Sequence, residues 1–225
     1  MKKLFPFFLS LALTSTLIFS VVAKETTLVS LSPQEIVTNM DNVFSRVNDY
    51  TCIADAHYKK GALKEDKVYK IYFKRPGLMR IEVLEGDPGA VAVLREDGKV
   101  RGHKGGWLSW IKLTVDLDHP LATTIRGHRM NQSHFGYMIG VMKKILVSEE
   151  ARVIGEGEVE GQNVYVMEVV HEKPRGDLTR ELIYVDKETW LLKKILGYEG
   201  RREVVNVTYR DIVLNPGLKD ELFRM

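Results

Sequence analysis

Six histidines, one cysteine and a scatter of serines and carboxylates are the side chains with which this chain could do chemistry. The histidines are His57, His103, His119, His128, His134 and His171, and none falls in a His-Glu-x-x-His or comparable ligand spacing. His119, His128 and His134 flank one long loop and would have to converge there to hold a metal. Loop histidines are more often simply polar, so no metal and no other cofactor is expected. Ser109 follows Gly106-Trp107-Leu108, which is not the Gly-x-Ser-x-Gly elbow that exposes a nucleophile. Glu156, Glu158 and Glu160 alternate as on one solvated strand face. Gly155-Glu156-Gly157 lies between strand-like residues and lacks the helix that a phosphate-binding loop needs. Cys52 has no second cysteine to work with and reads as a small buried hydrophobe. A hydrolase with an unrecognised site is disfavoured, and the chain is expected not to be an enzyme but to hold something.

The elements around these residues begin with an export signal. Met1-Lys2-Lys3 is followed by an uncharged run from Leu4 to Val22, and Val21 and Ala23 are the small residues of a cleavage site before Lys24. Residues 1–23 are read as a signal peptide cleaved after Ala23. The run is also long enough to span a membrane, which leaves an uncleaved N-terminal anchor in the inner membrane as the alternative. The chain has 33 basic and 30 acidic residues; loss of Lys2 and Lys3 leaves it within one charge of neutral. Nothing there favours nucleic acid or bulk attraction to acidic lipid. With one cysteine there is no internal disulfide, so the fold must stand on its core. About 200 residues suffice for one domain.

Residues 24–31 read as a short tether before a single domain over 32–225. Ser32-Pro33-Gln34-Glu35 is a helix start with a capping box, and Ile36, Met40, Val43, Phe44 and Val47 give the helix one apolar stripe. From Tyr50 the period changes to two. Strands are predicted near 50–59, 67–75, 78–85, 90–96, 99–104 and 107–115, divided by turn residues such as Pro76-Gly77 and Asp97-Gly98. Residues 116–133 form a long loop of the kind that is often functional. A second helix is predicted over 134–149, with Gly136 and Gly140 on one side where other backbone can approach. Five more strands follow near 152–159, 163–172, 178–186, 190–198 and 202–214. About eleven antiparallel strands must curl or close to bury one face, and two helices are available to cover it. The predicted fold is therefore mainly β with α: a curled sheet, an incomplete barrel, lidded by two or more helices around an apolar space.

That space would be lined from alternating strand positions and from the helix faces. Ile53, Val68, Ile71, Phe73, Met79, Ile81, Val83, Val91, Val93, Trp107 and Trp110 are the strand candidates. Phe135, Met138, Ile139 and Met142 are the helix candidates, and methionines tolerate ligands of variable shape. The same residues would serve equally as an ordinary core. Trp107 and Trp110, three apart on a strand, would point to opposite faces. One of them would then reach a rim, either as a surface facing a membrane or partner, or as an amphipathic edge residue.

Several segments resemble the bacterial LolA-type lipoprotein carriers. They are Lys74-Arg75-Pro76-Gly77-Leu78-Met79-Arg80-Ile81, then Asp97-Gly98-Lys99, then Val185-Asp186 with Thr189, Leu191, Lys194 and Ile195. The last is Tyr209-Arg210-Asp211-Ile212-Val213-Leu214-Asn215-Pro216-Gly217-Leu218. The resemblance spans residues 32–224. Asp49-Tyr50-Thr51-Cys52 and Leu117-Asp118-His119-Pro120-Leu121-Ala122 are closest to an uncharacterised branch of that superfamily. The resemblance implies a periplasmic, non-enzymatic carrier, a monomer that holds the acyl chain of a lipoprotein or lipid and exchanges it with a donor or acceptor protein at the inner or outer membrane. A sensor or regulatory module of the envelope on the same fold is the alternative. It also implies that Arg75 latches a lid helix by donating to its backbone, a role suited to a guanidinium with five donors; an ordinary solvated arginine before a turn is the other reading.

Overall fold

Capping decides where the first helix starts. In the computed structural model, which describes residues 31–148 and 150–225, the Ser32 hydroxyl accepts from the Glu35 amide at 3.2 Å, and the Glu35 carboxylate accepts from the Ser32 amide at 2.7 Å. Helix α1 runs Pro33–Phe44 and buries Ile36, Val37, Met40 and Phe44. The predicted signal peptide over 1–23 lies outside the described residues, as does the predicted tether except for Leu31, which packs on the core. Among the described residues no helix is long and apolar enough to cross a membrane.

Period-two alternation then generates one sheet. Its first half comprises β1 (Asp49–Lys60), β2 (Leu63–Lys74), β3 (Leu78–Glu85), β4 (Val91–Leu94), β5 (Val100–His103) and β6 (Leu113–Val115). Helix α2 (Phe135–Ser148) follows, and then β7 (Glu150–Val159), β8 (Gln162–Arg175), β9 (Leu178–Asp186), β10 (Leu192–Glu199) and β11 (Arg202–Leu214). The strand order is β6-β5-β4-β3-β2-β1-β11-β10-β9-β8-β7, with every pairing antiparallel. Two meanders are thus joined in the middle by the first and last strands, and β6 and β7 remain unpaired with each other. This is the curled, incomplete barrel predicted above.

The concave face is set by register. Tyr50, Cys52, Ala54, Ala56 and Tyr58 of β1 are all buried, with Phe73, Ile71, Tyr69, Lys67 and Glu65 opposite them on β2. Both helices lie over this face and share one core with it. They meet closely at Gly136, where an added Cβ would come within 2.5 Å of the Phe44 ring, and Lys143 pairs with Asp41 at 2.6 Å. Gly140, by contrast, faces open space.

One predicted strand is corrected. Residues 107–115 do not form a continuous strand: Gly106–Leu108 is a turn of 3-10 helix and only Leu113–Val115 pairs with β5. Gly105 presses against the Pro88 carbonyl, and Gly106 adopts φ +65, so the chain leaves the sheet before Trp107. The loop over 116–133 carries two further short turns, Pro120–Ala122 and Met130–Gln132.

Candidate functional site

Between the sheet and α2 lies a cavity of about 410 Å³, within the range of about 300–1,000 Å³ usual for small-molecule pockets. Its floor is the centre of the sheet, where Ala54 and Ala56 of β1 leave room that larger side chains would fill. Ile71, Ile81, Ile183, Ile195, Val205 and Val207 surround them. Met138, Val141, Met142 and Ile145 of α2 form the roof. The loop over 121–133 closes one side with Leu121, Thr124, His128 and Met130.

That loop is pinned by buried charge. Glu65, on the cavity face of β2, accepts from the Ile125 amide at 2.7 Å and from the Tyr69 hydroxyl at 3.2 Å. The almost fully buried Arg126 side chain donates to the Lys59 carbonyl at 2.6 Å and pairs with Glu199 at 2.9 Å. Arg175 and Glu181 also reach this side of the cavity and pair at 3.3 Å. Burial pushes the Glu181 carboxyl up, but His171, Arg175 and His128 outweigh it and hold it below its ordinary value. His128 packs edge-on against Tyr58; burial, then the Arg126 and Arg175 charges, lower its pKa. The cavity therefore has an apolar body and a polar rim.

Arg75 sits at the other end of the helices. Its Nε donates to the Val47 carbonyl at 2.6 Å and its Nη2 to the Phe44 carbonyl at 2.8 Å, with the guanidinium over the Phe44 ring. Phe44 is the last residue of α1 and its carbonyl also accepts from the Val47 amide at 3.0 Å, so Arg75 clamps the turn that leaves the helix, and its charge meets the negative end of the helix dipole. The neighbouring His134 stacks on Phe73, and its Nδ1 accepts from the Tyr137 amide at 3.1 Å, capping α2. Burial and then the Arg75 charge push the His134 pKa down to about 4. The Tyr50 hydroxyl accepts from the Phe135 amide at 3.1 Å, tying the start of α2 to β1.

Of the residues singled out from sequence as cavity lining, the structure brings Ile71, Ile81, Met138 and Met142 around the cavity. Phe73, Met79, Phe135 and Ile139 are buried beyond it, in the aromatic and aliphatic core that joins the helices to the sheet. Val83 lies outside the cavity, and Val93, opposite Arg80, is on the other face from Ile81. Trp107 and Trp110 are 81% and 73% exposed and belong to no cup, because the strand that would have turned one of them inward does not form. Sequence reasoning missed Ala54, Ala56, Val205 and Val207, whose alternation on β1 and β11 was the available signal. It also missed Glu65 and Arg126, for which there was none. Among the described residues no three His, Cys, Asp or Glu side chains come together as a metal site; His119 instead caps the Pro120–Ala122 turn. Burial pushes the Cys52 thiol up, keeping it protonated.

An open half-barrel with helices over an apolar cavity defines a class of lidded β cups. The chain itself belongs to the family described as a protein of unknown function, DUF1571, whose model matches residues 92–225. No curated protein matches it. Among solved structures it is similar to MucB, with 14% identity over 86% of this chain and 62% of that one at a TM-score of 0.54. It is similar to the lipoprotein LppX of Mycobacterium tuberculosis, with 7% identity over 83% and 97% at a TM-score of 0.50. A LolA superfamily protein of Nitrosomonas europaea is also a neighbour, with 11% identity over 87% and 99% at a TM-score of 0.40. At these identities the likeness is one of fold.

Proposed function

We propose that this protein is a non-catalytic carrier of an acylated ligand, a lipid or the acyl chain of a lipoprotein, acting outside the cytoplasm after export. The observation that carries the reading is the apolar cavity between β1, β11 and α2, floored by two alanines and roofed by two methionines. Burying an acyl chain contributes about 0.8 kcal/mol per methylene, and the polar rim lets a headgroup or peptide remain near water. Arg75, bonded to the end of α1, would hold the helical lid closed until a ligand enters. Release then requires a donor or acceptor protein that offers a competing apolar site. The monomeric state and the single domain over 32–225 belong to the same reading.

A regulatory envelope module that binds a protein is the second reading, favoured by the likeness to MucB, of whose length this chain spans 62%. A complex of MucA and MucB from Pseudomonas aeruginosa is among the similar structures, at a TM-score of 0.50. Native mass spectrometry of protein purified without detergent, followed by lipid extraction, separates the two. The carrier reading expects stoichiometric adducts that extract as acyl lipid. A clean protein mass that also refuses added phospholipid and acylated peptide overturns it in favour of the regulatory module.

A further inference from the structure

We infer that the turn over residues 104–113 is a docking surface for an acidic lipid bilayer, distinct from the cavity. Four large apolar side chains are exposed within it: Trp107, Trp110, Ile111 and Leu113, with the two tryptophans more than 70% exposed. Isolated exposed apolar residues are ordinary, but a contiguous group marks an interaction surface. Tryptophan is the side chain that favours the headgroup level of a bilayer, where its ring is half apolar and its N–H stays hydrated.

The turn is built rather than loose. The Ser109 amide donates to the Gly106 carbonyl at 3.2 Å and the Ile111 amide to the Leu108 carbonyl at 3.0 Å. Beneath it, Gly105 and Gly102 lie so close to the Pro88 and Val91 carbonyls that a Cβ would fall at 1.9 and 2.5 Å. A fixed base therefore holds both tryptophans outward at the open edge of the sheet, beyond β5 and beside β6.

Charge selects the partner. From Gly98 to Val115 there is no acidic residue, whereas Lys99, Arg101, Lys104 and Lys112 are basic, and Lys104 and Lys112 bracket the tryptophans. Lys99 is turned to Asp116 at 3.7 Å, and the underlying turn carries Glu85 and Asp87. Arg101, Lys104 and Lys112 set against Glu85 and Asp87 leave one net positive charge, so the attraction is modest and local, and acidic phospholipid satisfies it where an acidic protein patch would also need shape. The surface does not depend on the carrier reading: a regulatory module with the same turn would dock in the same way.

Tryptophan fluorescence tests this on the full chain, because the other tryptophan, Trp190, is half-buried and stacked on Tyr165, and the N-terminal apolar run contains none. The probe is vesicles of phosphatidylglycerol and phosphatidylethanolamine with brominated acyl chains, compared with brominated phosphatidylcholine. Expected are a blue shift and quenching with the acidic vesicles, absent from W107F/W110F, in which only Trp190 reports. K104E/K112E, matched for far-ultraviolet circular dichroism, should lower the acidic-vesicle affinity read by quenching by about tenfold. Emission that stays red and remains open to aqueous iodide on the vesicles would overturn the proposal and assign the turn to a protein partner. Equal quenching in phosphatidylcholine would overturn the selection by charge.

Discussion

Arg75 and His134 are coupled across the top of the core, and the coupling has a sign. His134 in the folded chain has its pKa pushed down to about 4, first by burial and then by the Arg75 charge, from an ordinary value of about 6.5. The unfolded chain therefore binds the extra proton first, so this residue's contribution to stability is complete above about pH 6.5 and is lost as pH falls toward 4. Acid unfolding followed by circular dichroism should show that limb, and H134Q should flatten it. In R75Q the His134 pKa, read by NMR titration, should rise but stay below 6.5, since burial is the larger cause. An unchanged pKa in R75Q would show that the two side chains do not interact. The Arg-Pro motif was legible in the sequence, whereas an arginine donating to helix backbone was implied only by the resemblance that motif carries. His134 was placed at the edge of the long loop and the start of the predicted helix, but its capping role was not legible, because a cap formed by an imidazole has no periodic signature.

At the scale of elements, the helix pair is set by a single missing side chain. Gly136 touches the Phe44 ring, while Gly140 one turn later touches nothing. G136V should drive α1 from α2 and destabilise by about 1–3 kcal/mol, the usual cost of overpacking. G140A should stabilise by about 0.5–1 kcal/mol through helix propensity alone. Denaturant midpoints check both, and equal effects would mean that the close approach is unimportant. Spacing showed both glycines but not which one meets a neighbour. Strands were far more legible than contacts: the alternation of β1, β2 and β7 to β11 survives because one face of each is covered. The failure at 107–115 has the same origin, since Trp-x-x-Trp carries no alternation and a positive φ at Gly106 ends the pairing.

For the whole molecule, the decisive fact is where the cavity stands. Its floor is the join between the first and last strands, with Ala54 and Ala56 beside Val205, Val207 and Tyr209. A56F should place a ring in that space at a cost no greater than about 1–3 kcal/mol, the usual range for added buried volume, and abolish any bound acyl adduct in native mass spectra. Retained adducts would move the ligand elsewhere. Which face of the sheet is concave was readable from alternation, but which concave residues border a cavity and which fill the core was not, because both must be apolar. The pairing of β1 with β11 also governs how the molecule comes into being. Ala54 meets Tyr209 across more than 150 residues of chain, and contacts so remote in sequence form slowly. Each meander can assemble from local hairpins, but the chamber exists only after the last strand has been made and delivered. On the proposed carrier reading, occupation of the chamber therefore waits on the pairing of β11 with β1, and a ligand can enter only after that strand is in place.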